Sequence, residues 1–166
     1  VADLGTCRGG TALILRRLAP DKHLHCFDTW EGTPYDDPLC HHKRGEWVAS
    51  LEDCKRLVGD GELTHYWQGE FPRAQLEFEG EFGKYVGEHT IQYQRYCFVY
   101  VDMDTYQATK DAVAFFWPRL VRGGKLLADD YGWGPCAGVK KAVDEVFTPS
   151  QLQVTPSLYT CVIEKK

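Results

Sequence analysis

The chain has no Cys-x-x-Cys pair, and its seven cysteines are scattered and odd in number. This pattern offers neither a disulfide framework nor a structural zinc site, so reduced thiols in a cytoplasmic protein are the simplest account. Positive charge is not in excess either: 19 basic against 24 acidic residues leave a formal net charge of −5. A nucleic-acid backbone calls for a basic face, so no nucleic acid is expected and the natural partner is a small molecule. No segment has the character of a signal peptide, and no apolar run is long enough to span a bilayer, so no membrane is expected. Linkers, repeats and low-complexity tracts are lacking as well, and the length of 166 residues suits one domain over 1–166.

What is present is concentrated at the ends of apolar runs. Cys97-Phe98-Val99-Tyr100-Val101 has the composition of a strand buried on both faces of a parallel sheet, and it runs out at Asp102-Met103-Asp104-Thr105. Chemistry sits at the carboxyl ends of such strands in open α/β folds. A second apolar run, Leu126-Leu127-Ala128, ends at Asp129-Asp130. Should the two strands be neighbours, three or four carboxylates share one rim, and they stay ionised only with a cation among them or with shifted pKa values. Oxygen ligands favour Mg²⁺, Mn²⁺ or Ca²⁺ over zinc. The plainer alternative makes Asp104 and Asp130 caps of the helices or turns that follow.

The opening residues 1–4 have strand character and lead into Gly5-Thr6-Cys7-Arg8-Gly9-Gly10-Thr11, then a helical run with Leu13, Ile14, Leu15 and Leu18. A strand, a Gly-rich turn and a helix bring backbone N–H groups close to a ligand. The spacing is not the Gly-x-Gly-x-x-Gly of dinucleotide binders. A next strand, Leu24-His25-Cys26-Phe27, ends at Asp28, where a doubly wound fold places the acid that takes ribose hydroxyls. A plain turn role for Asp28 is the competing account. The Pro-, Asp- and His-rich loop through residue 43 leaves the same edge and has the length of a substrate wall. Its Cys40-His41-His42 cluster has metal-ligand chemistry but no matching second pair of ligands.

The remaining pattern predicts a helix over 46–57 with Trp47, Val48, Leu51, Cys54 and Leu57 on its apolar face, stopped by Gly59-Asp60-Gly61. A strand follows over 63–67, then a polar segment, 77–95, with room for a short helix and a surface excursion. A helix over 106–117 is ended by Pro118 and Gly123-Gly124, and a strand covers 125–128. After a loop with Trp133 and Pro135, a helix carries Val139, Ala142, Val143 and Val146 at i, i+3, i+4 and i+7. Residues 152–155 and 159–163 form a closing antiparallel hairpin.

Four blocks together resemble the macrocin O-methyltransferase family: residues 1–11, Phe27-Asp28-Thr29-Trp30-Glu31-Gly32-Thr33-Pro34, Val101-Asp102-Met103-Asp104-Thr105-Tyr106, and Ala128-Asp129-Asp130-Tyr131-Gly132 followed by residues 138–144. The resemblance implies an α/β, Rossmann-like, doubly wound and mostly parallel sheet with a C-terminal antiparallel hairpin. It implies S-adenosylmethionine as methyl donor, Mg²⁺, and a sugar hydroxyl of a natural product as acceptor. It is weakest over 77–95, and the family's N-terminal helices are absent, which leaves acceptor and self-association into a homo-oligomer open. Position by position, it assigns Asp3, Gly5, Thr6, Cys7, Gly9 and Thr11 to the turn holding the methionine moiety, and Asp28 to the ribose. Thr29 and Trp30 flank the adenine, with Gly69 beside it. Asp102, Asp129 and Asp130 match metal-binding carboxylates, and Asp104 matches an acidic position expected to act as general base, which makes Asp104 and Asp102 the catalytic pair.

Two other readings compete. One is a methyltransferase-like domain that binds without catalysing. The other is a haloacid-dehalogenase-like phosphatase, because Asp102-Met103-Asp104-Thr105 fits Asp-x-Asp-x-Thr with a nucleophilic first Asp; that family carries the motif on its first strand, and Gly5 and Asp28 are then unexplained.

Overall fold

The computed structural model describes residues 1–71 and 95–166. The expectation for 77–95 therefore lies outside the described residues, Arg95 excepted. Among the described residues, seven strands form one sheet: β1 (Ala2–Leu4), β2 (Leu24–Asp28), β3 (Thr64–Gln68), β4 (Tyr96–Val101), β5 (Leu120–Ala128), β6 (Leu152–Thr155) and β7 (Thr160–Glu164). Their order is β3-β2-β1-β4-β5-β7-β6. The first five run parallel, while β7 is antiparallel to both β5 and β6. Chain order reverses at β1, which pairs with β2 on one side and β4 on the other. A crevice opens at such a switch point, outside the carboxyl ends of the strands.

Helices α1 (Gly10–Leu18) and α2 (Leu51–Val58) pack on one face around Ala12, Leu15, Cys54 and Val58. Helices α3 (Tyr106–Phe116) and α4 (Ala137–Asp144) pack on the other with Val113, Phe116, Val139 and Val143. Val99, Val101, Leu126 and Ile163 are completely buried there, each contributing about 1.5–3 kcal/mol by leaving water. The central strand thus has two covered faces, as its composition demands, though Cys97 near its start is exposed.

Three boundaries depart from the pattern. The helix expected over 46–57 begins only at Leu51, because Ser50 is extended and its hydroxyl accepts the Asp53 N–H at 3.2 Å, with Glu52 and Asp53 set against the helix dipole. Trp47 and Val48, each 59% exposed, therefore lie outside the helix. Gly123-Gly124 do not end α3. A 3-10 turn at Trp117–Arg119 ends it, and the two glycines belong to a longer β5, where Gly123 N–H donates to the Lys165 carbonyl at 2.7 Å. The final strand starts at Thr160, since Tyr159 takes the left-handed conformation that closes the hairpin.

Candidate active site

The turn after β1 is tied to the end of β2 by backbone bonds. Gly5 and Thr6 N–H both donate to the Phe27 carbonyl, at 2.9 and 3.2 Å. Gly5 has φ +79°, and a Cβ there would sit 1.7 Å from the Asp102 carbonyl oxygen, so only glycine lets the ends of β1 and β4 meet. Asp28 is gripped from two sides: Cys7 N–H donates to Oδ2 at 2.8 Å and Trp30 N–H to Oδ1 at 2.6 Å. Those bonds partly offset the burial that pushes its pKa above the ordinary range. Each oxygen keeps accepting capacity for a further donor.

Beneath the turn, Asp3 is 1% exposed, and among the described residues neither carboxylate oxygen has a hydrogen bond of ordinary geometry. Burial, with the charge of Asp28 added, pushes its pKa up to about 7. An unpaired buried carboxyl is expensive unless a donor or a cationic group satisfies it.

The other end of the crevice is acidic. Backbone bonds from Asp102 N–H to Leu4 (3.0 Å) and from Asp129 N–H to Val101 (2.9 Å) carry the sheet pairing past the strand ends and fix both acids at the rim. Asp102, Asp104 and Asp130 each present an oxygen, all within 4.8 Å of one another. Burial first, then the charges of Asp104, Asp129 and Asp130, push Asp102 up to about 8. Asp104 is pushed up to about 6, chiefly by burial, and Asp130 also upward for the same first reason. Asp104 and Asp130 both hold φ +57°, which turns their side chains toward the cluster. Asp129 stands apart from this trio, its Oδ2 accepting the Tyr100 hydroxyl at 2.7 Å. Capping does not account for Asp104: the Tyr106 N–H at the start of α3 is taken by Asp37 Oδ2 at 2.7 Å.

One cavity of about 400 Å³ joins the two ends. Of the residues singled out in the sequence, Gly5, Cys7, Asp28, Thr29, Gly69, Asp102, Asp104, Asp129 and Asp130 line it. Asp3, Thr6, Gly9, Thr11 and Trp30 do not. Thr6 Oγ1 donates to the Asp3 carbonyl (3.0 Å), and Gly9 packs against α2, where a Cβ would come within 2.9 Å of Cys54 Sγ and Val58 Cγ2. Thr11 lies in the first turn of α1. Trp30 requires correction. Its ring is buried against Tyr66, and its Nε1–H donates to the Cys7 carbonyl at 2.9 Å, so it braces the turn from behind instead of flanking a ligand. Trp47, Phe71, Met103 and Trp133 supply apolar wall, and Tyr35 donates or accepts a 3.0 Å bond with Thr105. The loop bearing Tyr35 was legible as a wall; Trp47 was hidden by its assignment to a helix.

A family model described as a methyltransferase domain matches residues 2–131. The chain belongs to that methyltransferase family. Among solved structures, the calicheamicin methyltransferase CalS11 aligns with a TM-score of 0.77 at 17% identity, over 99% of this chain and 71% of that one. The O-methyltransferase NovP gives 0.74 at 19% identity, over 100% and 71%. MycE, a methyltransferase of mycinamycin biosynthesis solved with Mg and SAH, gives 0.57 at 14% identity, over 99% of this chain and 44% of that chain. At these identities the likeness establishes the fold: a class I methyltransferase sheet, Rossmann-like, with an antiparallel C-terminal pair. No curated protein matches the chain. The phosphatase alternative is overturned, since the family is a methyltransferase family and Asp102 follows the fourth strand.

Proposed function

We propose that this methyltransferase transfers a methyl group from S-adenosylmethionine to a hydroxyl of a small molecule, a sugar or glycosylated natural product, with Mg²⁺ or another hard divalent cation bound in its acidic cluster. The observation that carries the reading is the single cavity running from Asp28 to the aspartate trio. Three similar proteins support it: CalS11, a TDP-rhamnose 3'-O-methyltransferase of calicheamicin biosynthesis, the O-methyltransferase NovP, and MycE of the mycinamycin pathway, solved with Mg and SAH.

The residues fit both groups. Asp28, held in one orientation by two N–H groups, retains capacity for ribose hydroxyls, and Thr29 and Gly69 line the adjoining wall. The orphaned carboxylate of Asp3 suits the cationic amino group of a methionine moiety, reached through the turn. S-adenosylmethionine supplies a methyl group on a good leaving group, so what the chain must do is align the acceptor oxygen and take its proton. An all-oxygen cluster whose carboxyls are pushed toward protonation fits a hard cation and not a soft one. Asp102 and Asp130 would hold it, with Asp129 kept at the edge by Tyr100. When bound, the cation draws neighbouring acceptor hydroxyls and lowers the pKa of one. Asp104, at about 6, is poised to accept that proton near neutral pH. Phe71, Met103 and Trp133 give the same cavity its apolar wall.

The test is a methyl-transfer assay with isotopically labelled S-adenosylmethionine and a panel of glycosides, run with Mg²⁺ and with EDTA. Labelled glycoside with Mg²⁺ only is the expected result. Binding of the donor without turnover on any acceptor supports the non-catalytic alternative, and full turnover in EDTA removes the cation from the mechanism.

A further inference from the structure

The Cys40-His41-His42 cluster, which lacks partners in its own stretch of chain, acquires them in the fold. Cys136, 96 residues away, brings its Sγ to 3.7 Å from Cys40 Sγ, and both side chains are buried. Two backbone bonds hold the pair in register: His41 N–H donates to the Pro135 carbonyl at 2.7 Å, and Gly138 N–H to the Leu39 carbonyl at 3.2 Å. Asp104 Oδ1 lies 3.8 Å from Cys136 Sγ. His42, Asp104 and Cys136 present ligand atoms that all fall within 4.8 Å of one another. The spacing has a geometric meaning. In a tetrahedral site with a Zn–S bond of about 2.3 Å, a sulfur and an oxygen stand about 3.5 Å apart.

His42 carries a further mark. Its Nδ1 meets Glu46 Oε2 at 3.2 Å, and the tautomer that donates this bond leaves Nε2 with a free lone pair. A carboxylate behind a ligating histidine orients the ring and raises its basicity. A thiol, an imidazole and one carboxylate make a softer donor set than the neighbouring Asp102 and Asp130 offer.

We propose that His42, Asp104 and Cys136 form a binding site for a thiophilic divalent cation, Zn²⁺, with water in the fourth position and Cys40 as the adjoining thiol; it meets the hard-cation cluster at Asp104. Binding releases the proton of the Cys136 thiol to solvent and forms one metal–sulfur bond, one metal–nitrogen bond and one metal–oxygen bond to the chain. It clamps the loop bearing Cys40 to the N-terminus of α4. It also engages Asp104, so a zinc-loaded chain would lack the proton acceptor assigned above. That consequence rests on the methyl-transfer reading, whereas the site itself does not.

The test is titration of the full chain, reduced and stripped with a chelator under anaerobic conditions, with Co²⁺ as a spectroscopic probe. One equivalent is expected to bind with a thiolate-to-cobalt charge-transfer band and the intense visible absorption of tetrahedral cobalt, and Zn²⁺ should bleach both. Cys136→Ser and His42→Ala should each weaken binding by at least about 10-fold, and Glu46→Gln by about 10-fold. Cys97→Ser, at an exposed thiol on β4, should bind as the parent does. His42→Ala, at a half-buried loop position, keeps the test open should Cys136→Ser fail to fold. A cobalt complex without the thiolate band and displaced by Mg²⁺ would put the ion on carboxylates alone and overturn the proposal. So would a thiolate band that survives in Cys136→Ser and His42→Ala, or a reduced protein that takes up no Co²⁺ and only joins Cys40 to Cys136 as a disulfide on oxidation. Each of these can be read without any methyl-transfer assay.

Discussion

The two ends of the cavity are built on opposite electrostatic terms. At the β1–β2 end the turn and Asp28 are held by the chain itself, with Asp28 taking two N–H bonds, Gly5 and Thr6 sharing one carbonyl and Trp30 closing the turn onto Cys7, while the Asp3 carboxyl beneath it has no hydrogen bond among the described residues. At the β4–β5 end, carboxylates face one another, and three of them are pushed toward their protonated forms. At the first end Asp28 is preorganised to accept bonds from hydroxyl donors, at little cost on binding. The second is incomplete without positive charge. On the proposed methyl-transfer reading, the first end recognises the donor through fixed hydrogen-bond acceptors and the second activates the acceptor through charge.

The largest effect that would sharpen this contrast is at the acidic end. Asp104→Asn is expected to lower kcat by about 10²–10⁴-fold, the usual range for a lost general base, while S-adenosylhomocysteine binds as before. A parallel loss of ligand affinity would break the separation. Gly5→Ala tests the other end. Because the added methyl meets a backbone oxygen at 1.7 Å, and φ is +79°, a loss of more than about 4 kcal/mol in stability is expected from chemical denaturation. A well-folded Gly5→Ala protein would contradict the described meeting of β1 and β4.

How much of this was legible in the sequence follows the range of the interactions. Strand ends and the acids after them were visible, because apolar runs stop abruptly at Asp28, Asp102 and Asp129. The α2 start was misplaced since Trp47 and Val48 mimic a helical stripe, while the Ser50 cap is a local signal that outweighs it. The family resemblance put Trp30 beside the adenine, and only the Cys7 carbonyl shows why an indole N–H is needed there. Asp37 was read only as part of a loop, for its partner on α3 lies 69 residues away. No spacing rule reaches that far.

A third prediction probes the cost of the acidic end. A carboxyl whose folded pKa is raised keeps its proton longer folded than unfolded, so it works against stability as pH climbs from the ordinary carboxylate value of 3.8 to about 8 for Asp102. Without divalent cations, Asp102→Asn should therefore match the parent near pH 4 and exceed it near pH 8 by on the order of a few kcal/mol in denaturation experiments. Equal stability at both pH values would mean that the cluster carries no such penalty. At the turn, Asp28→Ala should weaken S-adenosylhomocysteine binding by about 10–100-fold in calorimetry, the cost of losing bonds to a charged acceptor, and leave the Asp102→Asn difference untouched. The smallest effect is expected for Trp30→Phe. Losing its bond to Cys7 should cost about 1 kcal/mol in stability; a direct ring contact with the ligand would instead show as a larger loss of affinity than of stability.

The claim beneath all of this is that nucleoside and hard cation occupy one cavity at the same time. Paramagnetic broadening of bound S-adenosylhomocysteine by Mn²⁺, followed by proton NMR, measures it most directly. Strong broadening of the ligand's resonances in the parent, abolished in an Asp102→Asn, Asp130→Asn double variant that still binds the ligand, is the predicted result. Ligand and Mn²⁺ both bound with no broadening, or broadening unchanged in the double variant, would contradict it.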